Sequence, residues 1–103
     1  MLTKRSAITK AKQFLVECRD LPIVIDKAIV FGSAIKGNAT THSDIDIALF
    51  ATSFSENILH NLELIGPVNI RFPEIDVHAY PLKFYKEKGL LIDEIKRTGI
   101  EIH

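Results

Sequence analysis

The alternation of apolar and polar positions along the chain predicts helices interleaved with short strands. The first helix is expected between Thr3 and Asp20, and Pro22 should end it because proline disfavours helical geometry in the residue before it. Its apolar stripe has helical spacing and consists of Ala7, Ile8, Ala11, Phe14, Leu15 and Cys18. Three apolar segments then predict strands: Ala28–Phe31, Ile45–Phe50 and Glu74–Tyr80.

The segment between the second and third predicted strands reads as a helix. Ser53–Glu56 has the pattern of a capping box that would open it, and Gly66-Pro67 would stop it. Helical spacing is kept by Phe54, Ile58, Leu62 and Ile65. Asn69–Phe72 is a candidate for a further strand between two prolines.

The last third of the chain predicts one more helix and an edge strand. The helix should follow Pro81, with a break at Gly89 and an end at Gly99, and Ile100–Ile102 should form the short strand. Helices alternating with strands over 103 residues predict a single α/β domain spanning residues 1–103.

Composition narrows the class of protein but does not assign a function. Thirteen basic and thirteen acidic residues give no net charge, so the chain has no overall field to attract nucleic acid. The single cysteine, Cys18, excludes an internal disulfide and a cysteine cluster for zinc, and its place in the stripe predicts a core residue. The charged N-terminus lacks the apolar run of a signal peptide, and no segment approaches the length of a membrane span. We therefore expect a cytoplasmic protein.

A glycine and a serine follow the first predicted strand directly. Such a turn can present backbone N–H groups and a hydroxyl to phosphate oxygens, although a plain tight turn has the same composition. Gly32 and Gly37 have the spacing of a Walker A loop, but Asn38-Ala39 stands where that loop needs its lysine and hydroxyl residue. We therefore exclude a Walker A loop.

Two aspartates begin the second predicted strand. Asp44 and Asp46 should point to the same face, with Cα atoms about 6.5–7 Å apart, so their oxygens can converge on a divalent ion. An EF-hand is excluded because Ala48 and Leu49 occupy positions of an oxygen ligand and the turn glycine. An ordinary half-exposed strand would show the same alternation.

The third predicted strand offers another carboxylate, at Asp76. Glu74 lies on the same face and competes with Asp76 for that role, and His78 on that face could support the site. Three carboxylates from two strands facing a phosphate-binding turn would suit two-metal phosphoryl or nucleotidyl transfer.

Together these motifs resemble the minimal nucleotidyltransferases (MNT domains) of the polymerase-beta superfamily. The family signature is Gly-Ser, ten residues and Asp-x-Asp, which stands here as Gly32-Ser33 followed by Asp44-Ile45-Asp46. Lys36-Gly37 occupies the place of a basic residue and glycine, and Ser43 directly precedes the first aspartate. Lysine rather than the commoner arginine at position 36 keeps the charge but loses the bidentate fork.

The resemblance implies a polymerase-beta-like nucleotidyltransferase fold, with a small mixed sheet flanked by helices, and a set of site residues. Asp44, Asp46 and Asp76 would be catalytic and would bind two Mg²⁺ ions. The residues that would bind the nucleotide, ATP, are Gly32, Ser33, Lys36 and Ser43.

The resemblance also implies an acceptor and a partner. Stand-alone MNT domains pair with a helical HEPN protein, and some act as antitoxins by transferring AMP to a tyrosine of that toxin. We expect this activity, and we expect no membrane or nucleic-acid partner. The chain could also form a homo-oligomer. Two alternatives stay open: an antitoxin that masks a HEPN protein without catalysis, and nucleotidyl transfer to a small molecule with a helical subunit in trans.

Overall fold

The computed structural model describes residues 3–37, 44–87 and 89–103. Helices and strands alternate through these ranges, as the hydrophobic pattern predicted. In chain order they are α1 (Lys4–Cys18), β1 (Lys27–Phe31), α2 (Ser33–Lys36), β2 (Ile45–Ala51), α3 (Ile58–Asn69), β3 (Ile75–Pro81), α4 (Leu82–Lys86), α5 (Leu90–Thr98) and β4 (Ile100–Ile102). None of the helices in this part of the chain is long and apolar enough to cross a membrane.

The four strands form one mixed sheet in the order β3-β2-β1-β4. β1 pairs antiparallel with both β2 and β4, whereas β2 and β3 run parallel. The carboxyl end of β1 therefore lies beside the amino ends of β2 and β3. This edge of the sheet brings the Gly-Ser turn close to the two acidic strands.

One face of the sheet packs against α1 and α3 and carries the larger core. Alternate residues of every strand point into it, because successive side chains of a strand lie on opposite faces. The strand residues buried there are Ala28, Val30, Ile45, Ile47, Leu49, Ala51, Ile75, Val77, Ala79 and Ile102. The predicted stripe of α1 meets them through Ala7, Ala11, Phe14 and Cys18, and Cys18 is a buried core residue as expected.

The other face carries a smaller core beneath α4 and α5. Ile29, Ala48 and Phe50 of the sheet are buried there against Ile92 and Ile95 of α5. Aromatic side chains of Tyr80, Phe84 and Tyr85 pack around this cluster. The mixed sheet with helices on both faces confirms the predicted fold class.

The start of α3 differs from the prediction. Asn57, not Ser53, is the N-cap, and its side chain accepts a hydrogen bond from the His60 backbone N–H. The predicted capping box at Ser53–Glu56 is wrong because Phe54 is buried in the larger core. The next residue, Ser55, is held outside the helix by its backbone N–H, which donates to Asn61 Oδ1 at 2.9 Å.

The end of α3 also differs. The helix continues through Gly66-Pro67 to Asn69, so the predicted stop is wrong. Burial of Val68 in the larger core favours this extra turn and offsets the intrahelical hydrogen bond that Pro67, which has no backbone N–H, cannot donate. The predicted strand over Asn69–Phe72 is consequently absent, since these residues end the helix and form turns.

The two glycines of the last third lie where the sequence predicted. Gly89 separates α4 from α5 as the N-cap of α5, and Gly99 follows α5 directly. A Cβ at Gly99 would lie 2.5 Å from Ile29 Cγ2, so the close approach of α5 to β1 requires glycine there.

Candidate active site

Strand register brings the acidic residues of two strands side by side. Asp46 pairs with Phe31 of β1 on one side and with Asp76 of β3 on the other. The neighbours of Asp46 and Asp76 along their strands are buried in the larger core. Both carboxylates must therefore point to the opposite face, toward the side that α4 and α5 cover in part.

His78 completes a compact group of potential metal ligands. Its Nε2 atom lies 3.3 Å from Asp46 Oδ1 and 3.5 Å from Asp76 Oδ2, and one ligand atom from each residue lies within 4.8 Å of the others. The side chains of Asp46, Asp76 and His78 are 27%, 55% and 34% exposed. The group is thus open to a ligand on one side and supported by the sheet on the other.

The electrostatics of this group favour a bound cation. Burial raises the pKa of Asp46, and the nearby Asp76 carboxylate raises it further, while a hydrogen bond and charge interaction with His78 act in the opposite direction. Burial and the neighbouring negative charge both disfavour the ionised form of Asp46 unless a positive charge lies close to it. A divalent cation bound to Asp46 and Asp76 would remove that cost.

The Gly32 backbone lies against the Asp46 carboxylate. Gly32 has φ +84° and ψ −158°, a conformation that residues with a side chain rarely adopt. A Cβ at this position would lie 2.4 Å from Asp46 Oδ2. The Gly-Ser turn is therefore in direct contact with the acidic group, and glycine is required there for two independent reasons.

The ring of Phe31, on β1, packs against His78 of β3 across the intervening strand β2. The two ring centroids are 5.1 Å apart and the ring planes are inclined by 60°. Packing of this kind restricts the rotation of the imidazole and keeps Nε2 directed toward Asp46 and Asp76.

The remaining predicted carboxylates lie outside the three-residue group. Asp44 is exposed and stands immediately before β2. Among the residues that the structure describes, only Asp46, Asp76 and His78 bring their ligand atoms together in this way. Glu74, the competitor of Asp76, instead lies 3.5 Å from Lys10 Nζ of α1.

The predicted nucleotide-binding residues lie in and after the turn that follows β1. Ser33 is half-buried at the first position of α2, and Lys36 is exposed at its last position. The side chain of Lys36 is near enough to α5 to contribute, after Arg97, to a lowered pKa of Glu94. Ser43 lies outside the described residues.

His78 is the residue for which the sequence alone gave least guidance. A lone histidine without metal-ligand spacing is typical of a protein surface, and only its position two residues after Asp76 indicated a shared face. Its contact with Asp46, 32 residues earlier, depends on the parallel pairing of β2 and β3. No local pattern encodes that pairing.

Comparison with known proteins agrees with this geometry. The family model described as polymerase beta, nucleotidyltransferase, matches residues 11–103. The chain belongs to this family. The polymerase-beta resemblance drawn from the Gly-Ser and Asp-x-Asp motifs is thereby confirmed. No curated protein sequence matches the chain.

Three solved structures share the fold of this polymerase-beta family member. A candidate nucleotidyltransferase from Sulfolobus solfataricus is 21% identical with a TM-score of 0.68, over 95% of this chain and 80% of that chain. A toxin-antitoxin with AMP-PNP is 20% identical with a TM-score of 0.59, over 90% and 69% of the two chains. A mutant of the toxin-antitoxin MntA-HpeT is 22% identical with a TM-score of 0.59, over 90% and 69%.

Proposed function

We propose that this polymerase-beta family member transfers AMP from ATP to a protein hydroxyl in a Mg²⁺-dependent reaction. The acceptor in this proposal is a tyrosine of a HEPN-type toxin, and the chain acts as the antitoxin in the cytoplasm. The observation that carries the proposal is the convergence of Asp46 and Asp76 beside the Gly32-Ser33 turn. That convergence joins a carboxylate pair to a phosphate-suited turn, which nucleotidyl transfer needs.

The turn after β1 is proposed to hold the triphosphate. Gly32 lacks a side chain, so phosphate oxygens can approach its backbone, and the Ser33 hydroxyl can donate to them. Lys36 would add a positive charge from the end of α2, and Ser43 would contribute a further hydroxyl. The two faces of this turn would then contact the nucleotide on one side and the Asp46 carboxylate on the other.

The donor set fits the divalent ions that the family uses. Carboxylate oxygens are the preferred protein ligands of Mg²⁺, and Asp46 and Asp76 present theirs on one side of the sheet. Asp44 precedes Asp46 by two residues, and we propose it as the third carboxylate. When bound, such ions supply positive charge where negative charge develops on the transferring and leaving oxygens.

Asp76 is the proposed acceptor of the proton from the attacking hydroxyl. It is the most exposed of the three clustered side chains, so an incoming acceptor can reach it. Asp46 is more deeply held between β1 and β3, which suits a residue that positions ions rather than one that contacts the acceptor.

The choice of a protein acceptor draws on two kinds of support. The MNT resemblance associates short chains of this kind with HEPN toxins. Two of the structures that share the fold are described as toxin-antitoxin assemblies, one of them with AMP-PNP.

The test is transfer of labelled AMP to a co-purified toxin. We expect Mg²⁺-dependent labelling of a toxin tyrosine from α-labelled ATP, located by mass spectrometry. Asp46→Asn and Asp44→Asn should each abolish labelling, whereas Asp20→Asn, at an exposed position after α1, should leave it unchanged.

Two outcomes would overturn the proposal in different ways. Neutralisation of the toxin without AMP incorporation, and equally by Asp46→Asn, would indicate a masking antitoxin. Labelling of a small molecule in place of the protein would indicate a different acceptor class.

A further inference from the structure

We propose that His78 is a protein ligand of the ion held by Asp46 and Asp76, and that this ion is a transition-metal divalent cation such as Mn²⁺. The inference deepens the proposed function and rests on it for the presence of a divalent cation in this group. The second ion, which accompanies the nucleotide phosphates, stays Mg²⁺ in this scheme.

The distances within the group are close to those between ligands around a shared centre. His78 Nε2 is 3.3 Å from one carboxylate and 3.5 Å from the other. The common range for an N–H···O hydrogen bond is about 2.7–3.2 Å, so the contact with Asp46 is a long hydrogen bond and the contact with Asp76 lies beyond that range. Ligand atoms bound at about 2.1 Å to one ion, at angles between octahedral and tetrahedral, are separated by about 3.0–3.4 Å, a range that contains the 3.3 Å separation and ends just below the 3.5 Å separation.

The imidazole is held in place by elements that do not depend on the carboxylates. His78 projects from β3, whose register with β2 sets its height above the sheet. The ring of Phe31, which belongs to β1, limits the rotation of the imidazole. A side chain restrained in this way loses little further freedom when Nε2 binds an ion.

The mixed donor set decides which ion is preferred. Mg²⁺ is a hard cation that favours oxygen ligands and retains water, so an imidazole nitrogen adds little to its binding. Imidazole nitrogen is a good ligand for borderline first-row ions, while carboxylates suit Mn²⁺ as well. Two carboxylates with one imidazole therefore favour Mn²⁺ over Mg²⁺ more strongly than three carboxylates would.

The experiment measures coordination directly on the untagged full chain. Mn²⁺ is added at substoichiometric amounts, and pulsed electron paramagnetic resonance detects ¹⁴N modulation from a coordinated imidazole. Equilibrium dialysis gives the Mn²⁺ affinity and, by competition, the Mg²⁺ affinity. Neither readout requires nucleotide or turnover.

The matched variants are His78→Gln and His60→Gln. His60 lies on α3, is mostly exposed, and has Glu63 at 4.0 Å, so it tests for non-specific imidazole binding. We expect ¹⁴N modulation in wild type and His60→Gln, and its loss in His78→Gln. The ratio of Mn²⁺ to Mg²⁺ affinity should fall by about tenfold or more in His78→Gln and stay unchanged in His60→Gln.

Two results would overturn the inference. One is bound Mn²⁺ without ¹⁴N modulation in wild type, which needs no variant and is therefore independent of any folding defect. The other is an unchanged Mn²⁺/Mg²⁺ affinity ratio in a His78→Gln chain whose circular dichroism and melting temperature match wild type.

Failure of this inference is distinguishable from failure of the proposed function. Labelling of the toxin without His78 coordination would leave AMP transfer standing and remove only the Mn²⁺ preference. His78 coordination without labelling of any toxin would leave the metal assignment standing and remove the proposed acceptor.

Discussion

At the scale of single residues, Gly32 links the backbone turn to the acidic group. Its positive φ and the 2.4 Å approach of Asp46 Oδ2 to a built Cβ are separate constraints. Gly37 also has a positive φ, of +83°, but nothing lies within 4 Å of its built Cβ. Because Gly37 has left-handed helical geometry (ψ 10°) and Gly32 does not (ψ −158°), stability reports backbone strain and displacement together, and ion binding reports displacement of the carboxylate.

Gly32→Ala should cost more stability than Gly37→Ala and should also weaken divalent-ion binding. We expect a loss of about 3 kcal/mol for Gly32→Ala, from strain together with displacement of Asp46, and about 1 kcal/mol for Gly37→Ala. Urea unfolding measures the stabilities and calorimetric titration measures ion binding. Equal losses at the two positions, with ion binding intact, would contradict the close contact.

Asp46 should oppose folding when no cation is present. Because burial raises its pKa, the ionised carboxylate is less stable in the folded protein than in water. Asp46→Asn should therefore raise the melting temperature of the metal-free chain at neutral pH. Thermal unfolding in a chelating buffer checks this, with Asp20→Asn as the exposed control. A destabilised Asp46→Asn would show that hydrogen bonding, not charge burial, dominates there.

The site residues that can be predicted from the sequence are those that belong to a short motif. Gly32, Asp44 and Asp46 stand at the fixed spacing that is the family's signature. Asp76 could be proposed from strand parity alone, and its register with Asp46 is consistent with that proposal. His78 could not be assigned, because its contacts arise from strand pairing rather than from spacing along the chain.

At the scale of elements, the strands were easier to predict than the limits of α3. Buried strands show as short apolar runs, and parity separates their two faces. The limits of α3 are set by tertiary packing instead, with Phe54 drawn into the core before the helix and Val68 at its far end. This burial overrides the helix-capping propensity of Ser53 and the helix-breaking propensity of Gly66-Pro67.

Asn57 and Ser53 offer a direct test of where α3 begins. The Asn57 side chain accepts from the His60 N–H at 3.1 Å, so Asn57→Ala should cost about 1 kcal/mol. Ser53→Ala should change stability by less than about 0.5 kcal/mol, because its position lies before the helix. Denaturant unfolding of both variants gives the comparison. The reverse order of effects would restore the capping box predicted from sequence.

At the scale of the whole molecule, the free energy of unfolding should depend on pH through the buried thiol of Cys18. Burial in the α1 interface raises the pKa of Cys18 from 9.0 to about 12. At a pH between these two pKa values, the Cys18 thiol is ionised in the unfolded chain and protonated in the folded chain. Unfolding therefore releases a proton. Stability is unaffected below pH 9 and should fall by up to about 1.4 kcal/mol per pH unit above it.

The measurement compares wild type with Cys18→Ala from pH 8 to pH 11. Loss of the side chain lowers stability at every pH, but only wild type should show the extra decline that begins near pH 9. Identical slopes in the two chains would mean that the thiol ionises equally easily in both states.

The order of strands in the sheet is the part of the fold that the sequence did not reveal. Hydrophobic runs predict that strands exist but do not say which pairs run parallel. The mixed sheet could be expected only through the family resemblance, and the β3-β2-β1-β4 order is a property of the folded chain. The site depends on this order, because β2 must stand between the Gly-Ser turn and β3.

Because β3 lies at one edge of the sheet, the residues of the site are not all held equally firmly. Asp46 belongs to an interior strand with partners on both sides, whereas Asp76 and His78 belong to a strand paired on one side only. Edge strands open more readily than interior ones in local unfolding. An ion shared by the two strands would act as a cross-link, so adding Mn²⁺ should slow amide hydrogen exchange in β3 far more than in β1 or β4. Equal slowing of amide hydrogen exchange in all strands would indicate general stabilisation instead. The ion would then restrain the whole fold rather than the edge strand β3.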